Sequence, residues 1–146
     1  LLQYPFNKDT VYRNVYDFYS EQRMRLMGYC LHQKMKVIPE CRTAYIALTL
    51  KELEVFHHEP GDTEGFVNLP FSIRGTLVTA LFTEKDDHVK ISFRSRGSFA
   101  VNTFASRYFS GGGHFHAAGG EYPLPLEAAI QRFTEMIQQH KDEIRD

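Results

Sequence analysis

TLVTALFTEKDDHVKISFR, residues 76–94, is the stretch that decides the fold. Residues 76–83 are apolar on both faces (Leu77, Val78, Ala80, Leu81, Phe82), which suits a strand deep in a sheet. Asp86-Asp87 makes a turn. Val89, Ile91 and Phe93 then alternate with His88, Lys90, Ser92 and Arg94, the period of a strand with one buried face. The pair reads as a β-hairpin. Its second strand carries Lys90, Ser92 and Arg94 on the polar face, with Arg94 at the C-terminal end. Arg96 extends that patch if the strand continues so far.

Outward from the hairpin, helical and strand patterns alternate. Residues 4–9 read as an entry loop. Val11, Val15 and Phe18, with Tyr12, Tyr16 and Tyr19, recur at three- and four-residue steps and predict a helix with an aromatic core or interface face. Ser20 is the expected N-cap of a second helix, along which Met24, Met27, Leu31 and Met35 form a packing stripe. Pro39-Glu40 marks a turn. Ala44, Ile46, Leu48 and Leu50 then alternate as a strand, and residues 51–57 follow as a short helix. Asp62 or Thr63 is the expected cap of another short helix. Beyond the hairpin, Val101, Phe104, Ala105 and Tyr108 mark a helix. A short strand is expected at Glu121-Tyr122, and a final helix after Pro125 carries Leu126, Ile130, Phe133, Ile137 and Ile144. The order predicts an α/β domain: a mixed β-sheet with helices packed on its faces.

Between the last two helices stands Gly111-Gly112-Gly113-His114-Phe115-His116-Ala117-Ala118-Gly119-Gly120. Consecutive glycines allow left-handed backbone and let a bulky group approach the chain. A bare triple glycine also serves as a slack turn, but this one lies between two strongly patterned segments. Main-chain amides followed by a titratable side chain suit an anion, above all a phosphate. Arg94 adds a planar fork for the same group, and His114 a donor whose charge responds near neutral pH.

Several function classes are excluded. A net charge of −1 supplies no global basic field for duplex nucleic acid, so anion recognition has to be local. The glycine stretch lacks the lysine and hydroxyl of a P-loop and the context of a dinucleotide fingerprint. Cys30 and Cys41 form neither a disulfide framework nor a metal signature and have no activating context, so a reduced, cytoplasmic setting is expected. His57-His58 point apart, Asp86-Asp87-His88 reads as turn chemistry, and His114 with His116 lacks a third ligand. No metal site is expected in this chain. No apolar run has the length of a membrane span. The chain begins Leu1-Leu2-Gln3, without methionine, as a piece of something longer would.

Arg94-Ser95, the helix ending at Phe109, and the run Gly111-Gly112-Gly113-His114 with Ala117-Ala118-Gly119 together resemble the DHHA1 domain, the C-terminal, substrate-binding half of DHH-type phosphoesterases. Residues 62–68 resemble the subgroup of oligoribonucleases and phosphoadenosine-phosphate phosphatases, also described as exopolyphosphatase-related. The resemblance implies that residues 1–35 are a helical connector from an N-terminal DHH catalytic domain and that residues 36–146 are the DHHA1 domain. That catalytic domain would carry an Asp-His-His signature and manganese ions; Asp86-Asp87-His88 is not that signature. This chain would then grip substrate without cleaving it, needing no cofactor of its own. Arg94 and His114 match the positions expected to hold a phosphate or terminal nucleotide. Gly111, Gly112 and Gly113 would supply close approach, and Ser95, Asn68 and His116 would assist. Short single-stranded RNA or a 3′-phosphorylated adenosine nucleotide is the implied ligand, the DHH domain the implied partner, and a homodimer is compatible. Two other readings compete: a nucleic-acid-binding appendage like that of alanyl-tRNA synthetases, and an interaction or dimerisation domain in which Arg94 and His114 stand apart or are buried.

Overall fold

A computed structural model describes residues 7–16 and 19–146. Phe18 and residues 4–6 of the expected entry loop lie outside the described residues. Among the described residues, one six-stranded sheet runs in the order β1-β2-β3-β4-β6-β5. Its strands are β1 (Met35–Ile38), β2 (Thr43–Leu48), β3 (Val78–Glu84), β4 (Val89–Ser95), β5 (Gly112–His114) and β6 (Ala117–Tyr122). β2 and β3 are parallel and every other neighbouring pair is antiparallel, so the sheet is mixed, as expected. The helices are α1 (Lys8–Tyr16), α2 (Glu21–Tyr29), α3 (Leu50–Val55), α4 (Val101–Tyr108) and α5 (Leu126–Gln139). No helix among the described residues is long and apolar enough to cross a membrane.

The hairpin forms where its periodicity placed it. Lys85 N–H donates to His88 O at 2.8 Å to close the turn, and Val89, Ile91 and Phe93 are buried. They meet α4 and α5 in the main core, where Phe133 packs within 5.3 Å of Phe82 and 6.0 Å of Phe93, ring centre to centre. A second, smaller core lies on the opposite face, over β2 and β3. There Leu26 and Cys30 close over Ile46, Leu48 and Leu81, joined by Leu53, Phe66 and Val67. The sheet is therefore covered on both faces at the β2–β3 end. Among the described residues the second core does not extend over β4, β6 and β5.

Some expectations are corrected. Ser20 caps α2, its Oγ accepting from Arg23 N–H at 3.1 Å, but the buried face is Arg23, Leu26 and Cys30. Met24 and Leu31 are exposed, while Met27 and Met35 are partly buried against the second core, so the buried face lies one position earlier than the expected stripe. Val11 and Tyr12 of α1 are also exposed, not core. Neither Asp62 nor Thr63 caps the 3₁₀ helix Phe66–Ser72; Gly65, at φ 83°, leads into it, and Asp62 Oδ2 accepts from Glu59 N–H. Pro125 stands at the N-cap of α5, and Ile144 is buried beyond that helix.

At α3, Thr49 and Glu52 form a reciprocal capping box, and Glu52 also accepts from Tyr29 Oη at 2.6 Å and Lys34 Nζ at 2.8 Å. Burial pushes the Glu52 carboxyl up, but the bonds from Lys34, Tyr29 and Thr49 together outweigh it and hold the group below its ordinary range. A carboxyl depressed in the folded state adds stability above its unfolded pKa and loses it as pH falls through the folded value. The Glu52→Gln variant should therefore be less stable at pH 7 by about 1–2 kcal/mol. The gap should close as pH drops below about 4.5, the ordinary carboxylate range. Urea melts of both proteins from pH 7 to pH 3 check this, and a gap independent of pH refutes it.

Candidate phosphate-binding face

Strand alternation sends Lys90, Ser92 and Arg94 to the face opposite the main core. Register carries that face across the neighbouring strands. Arg94 pairs with Ala117, and Ala117 with His114; Ser92 pairs with Gly119, and Gly119 with Gly112. Residues directly paired across strands share a face. Arg94 and His114 thus occupy one row, separated by the small Ala117 and by two strand spacings, about 10 Å of backbone. His114 and Gly112 are exposed, and Arg94 is half-buried. The floor between the arginine and the histidine is paved with Ala117, Gly119 and Gly112, so little side chain stands over it.

The expected glycine loop is a hairpin. Phe115 and His116 form its two-residue turn, pinned by Val101 N–H to Phe115 O at 2.9 Å and Ser95 N–H to His116 O at 3.0 Å. The three glycines have separate jobs. A Cβ on Gly111 would lie 1.9 Å from Gly119 O, and one on Gly113, at φ 144°, would lie 2.7 Å from Ala117 O. Both positions need glycine for β6 to approach. Gly111 N–H is committed to Ala105 O at 3.2 Å. A Cβ on Gly112 would meet no atom within 4 Å. The fold makes no steric demand for glycine there, and the bare backbone lies on the open face.

The remaining candidates divide. Ser95 faces the opposite side of β4 from Arg94; its Oγ donates to Phe99 O at 2.7 Å and lies 3.0 Å from His116 Nδ1. Ser95 and His116 therefore brace the turn. Asn68 is exposed on the 3₁₀ helix Phe66–Ser72 and does not line the cavity beside Arg94. Arg96 falls outside β4, its guanidinium 4.3 Å over the Phe71 ring. Arg94 itself commits Nη1 to Phe93 O at 2.8 Å.

Along one side of this face runs the loop at residues 61–67. Together with Leu81, Lys90, Ser92 and Arg94 it lines a cavity of about 260 Å³. The loop is held by a residue the sequence reading passed over. Arg23 of α2 is buried, and its guanidinium donates to Gly61 O at 3.1 Å, Asp62 O at 2.7 Å and Glu64 O at 2.7 Å. It packs 4.2 Å from the Tyr19 ring centre and 5.0 Å from that of Phe66. A single arginine next to a helix N-cap carries no signal of this role, because its partners are backbone carbonyls far along the chain.

A larger cavity, about 780 Å³, sits near α4 and the end of α5, where His140 bonds Tyr108 Oη and Glu143; it contains none of the candidate residues. Burial pushes the Cys30 thiol up to about 12 and raises Cys41 as well, so both remain protonated and enclosed. Among the described residues no three His, Cys, Asp or Glu side chains converge to hold a metal ion.

Known proteins resemble this chain in sequence and in fold. The chain is similar to the bifunctional oligoribonuclease and PAP phosphatase NrnA of Bacillus subtilis, 29% identical over 119 residues, which cover 82% of the chain and 36% of that protein. The same-named protein of Thermus thermophilus is 33% identical over 79 residues, 53% of the chain and 24% of the relative. The chain thus spans about a quarter to a third of these relatives. The crystal structure of an exopolyphosphatase-related protein from Bacteroides fragilis superposes with a TM-score of 0.89 at 41% identity, over 97% of this chain and 41% of that one. Residues 45–142 match the DHHA1 domain, a span that holds β3 to β6, Arg94 and the whole glycine hairpin, and the chain belongs to the DHHA1 family.

Proposed function

We propose that this chain is the substrate-binding half of a manganese-dependent phosphoesterase that hydrolyses short oligonucleotides, 3′-phosphoadenosine 5′-phosphate, or both, in the cytoplasm. The observation that carries the reading is the shared row of Arg94 and His114 on the uncovered face, with Gly112 bare beside them. An arginine fork and an imidazole about 10 Å apart across a side-chain-poor floor suit a phosphate at each end of a nucleoside. The relatives support the substrate class, since two of them are named for oligoribonuclease and PAP phosphatase activity. The described residues hold no metal-ligand cluster, so no chemical step is assigned to this chain. Water activation belongs to a DHH domain of the same protein, joined through residues 1–35, whose metals would face this surface. An interaction domain with a purely structural glycine stretch has no need of an unfilled Gly112.

The test is a titration of this chain, followed by amide chemical shifts, with 3′-phosphoadenosine 5′-phosphate and a short RNA. Shifts are expected on β4 around Arg94 and along Gly112–His114. Arg94→Ala and His114→Ala should each weaken binding about tenfold or more, as loss of a charge-assisted contact does, while keeping the dispersed spectrum. Saturable binding that both variants retain unchanged would overturn the reading, and so would no binding at millimolar ligand.

A further inference from the structure

Lys90 and Ser92 are left over once Arg94 and His114 take the phosphates of one nucleotide. Lys90 is exposed and Ser92 half-buried, and neither side chain has a hydrogen bond or ion pair among the described residues. They lie on the same face of β4 as Arg94, at alternate positions, and all three line the cavity beside the loop at residues 61–67. A strand advances about 6.8 Å every two residues, the scale of one step along an extended single-stranded backbone. Lys85 adds a second cation at the Lys90 end. Two carboxylates face this track: Glu64 lines the same cavity, and Glu121 pairs with Lys90 in the register. Glu121 also lies 4.0 Å from His88 Nε2, and Glu64 offers its carbonyl to Arg23.

Resting on the function proposed above, we infer that β4 is a phosphate track that measures oligonucleotide length, with Arg94 taking the end phosphate, Ser92 the next and Lys90 the third. The ligand class is a single-stranded oligonucleotide of three or more phosphates. Its bases are unread by β4, because a row of cation, hydroxyl and cation contacts backbone and not base edges. A mononucleotide bisphosphate, held between Arg94 and His114, does not extend to Lys90. The track therefore separates the two substrate classes: one uses the Arg94 end alone, the other the whole strand.

The experiment compares 3′-phosphoadenosine 5′-phosphate with the 5′-phosphorylated trinucleotide pApApA, titrated into wild type, Lys90→Ala, Lys90→Arg and Arg94→Ala. Lys90→Ala is expected to weaken pApApA about three- to tenfold and leave the mononucleotide within error. The slope of log affinity against log salt for pApApA should fall by about 0.7, the value for one phosphate contact on a single strand. Lys90→Arg should keep the trinucleotide affinity. Equal weakening of both ligands by Lys90→Ala would mean a general field effect and sink the track, and no weakening of either would sink it too. The parent reading fails separately, through wild type binding neither ligand or Arg94→Ala binding both normally, and the track falls with it.

Discussion

Gly111→Ala is expected to destabilise the domain by about 3 kcal/mol or more, whereas Gly112→Ala one residue later should cost under about 1 kcal/mol. A Cβ on Gly111 would sit 1.9 Å from Gly119 O, 2.6 Å from Gly120 Cα and 2.8 Å from Gly119 C. All three are backbone atoms of β6, which is pinned on its other side by Arg94, Ser92 and Lys90 of β4. No flexible side chain can yield, so the Gly111 end of the hairpin has to separate from β6. Gly113→Ala should follow Gly111, for its Cβ would lie 2.7 Å from Ala117 O at a φ of 144° that L-residues avoid. Gly112→Ala places a methyl over empty space on the open face. Its cost should appear in ligand affinity, as a methyl blocking a phosphate or base from the sheet floor. Thermal melts and nucleotide titrations of the three variants separate these effects. Similar destabilisation by all three would mean the stretch is a structural turn throughout. A Gly112→Ala protein with full affinity would remove Gly112 from the site.

That division was partly legible beforehand. Alternation in residues 89–94 put Lys90, Ser92 and Arg94 on one face, because strand geometry leaves no other option. The same rule separates Ser95 from Arg94, and the motif-based grouping of the two obscured it. The glycine stretch read as a loop because glycine is poor in strand propensity; its extended form depends on pairing with β6, which no local pattern announces. β1 escaped notice for a related reason. Its four residues, Met35–Ile38, form an edge strand with exposed Lys36 and Val37, so no alternation marks it. The methionine stripe along α2 missed the buried face by one position, because Arg23, Leu26 and Cys30 repeat at the same three- and four-residue steps and spacing alone does not choose between the two faces. Local periodicity therefore located the cation track, and tertiary register was needed to bring His114 into line with it.

Arg23 shows the same limit at a single residue, and it carries the other large expected effect. Arg23→Leu should destabilise the domain by about 3–5 kcal/mol, from the loss of three hydrogen bonds donated by one buried guanidinium. The leucine fills some of the volume between Tyr19 and Phe66 but leaves Gly61 O, Asp62 O and Glu64 O without their donors. Unpaired buried carbonyls cost about 1–3 kcal/mol each, lowered where the loop swings out to water. The loop then leaves the cavity it shares with Lys90, Ser92 and Arg94. Arg23→Lys distinguishes stability from positioning. An ammonium keeps the charge yet cannot span three carbonyls with a planar fork, so part of the loop is released while Leu26 and Cys30 hold α2 in the second core. The lysine variant is accordingly expected to stay folded, with amide shifts along residues 61–65 and trinucleotide affinity reduced more than its denaturation midpoint implies. A leucine variant with an unchanged midpoint would show that the loop is held by its own turns. A lysine variant that loses stability but keeps affinity would confine Arg23 to the fold.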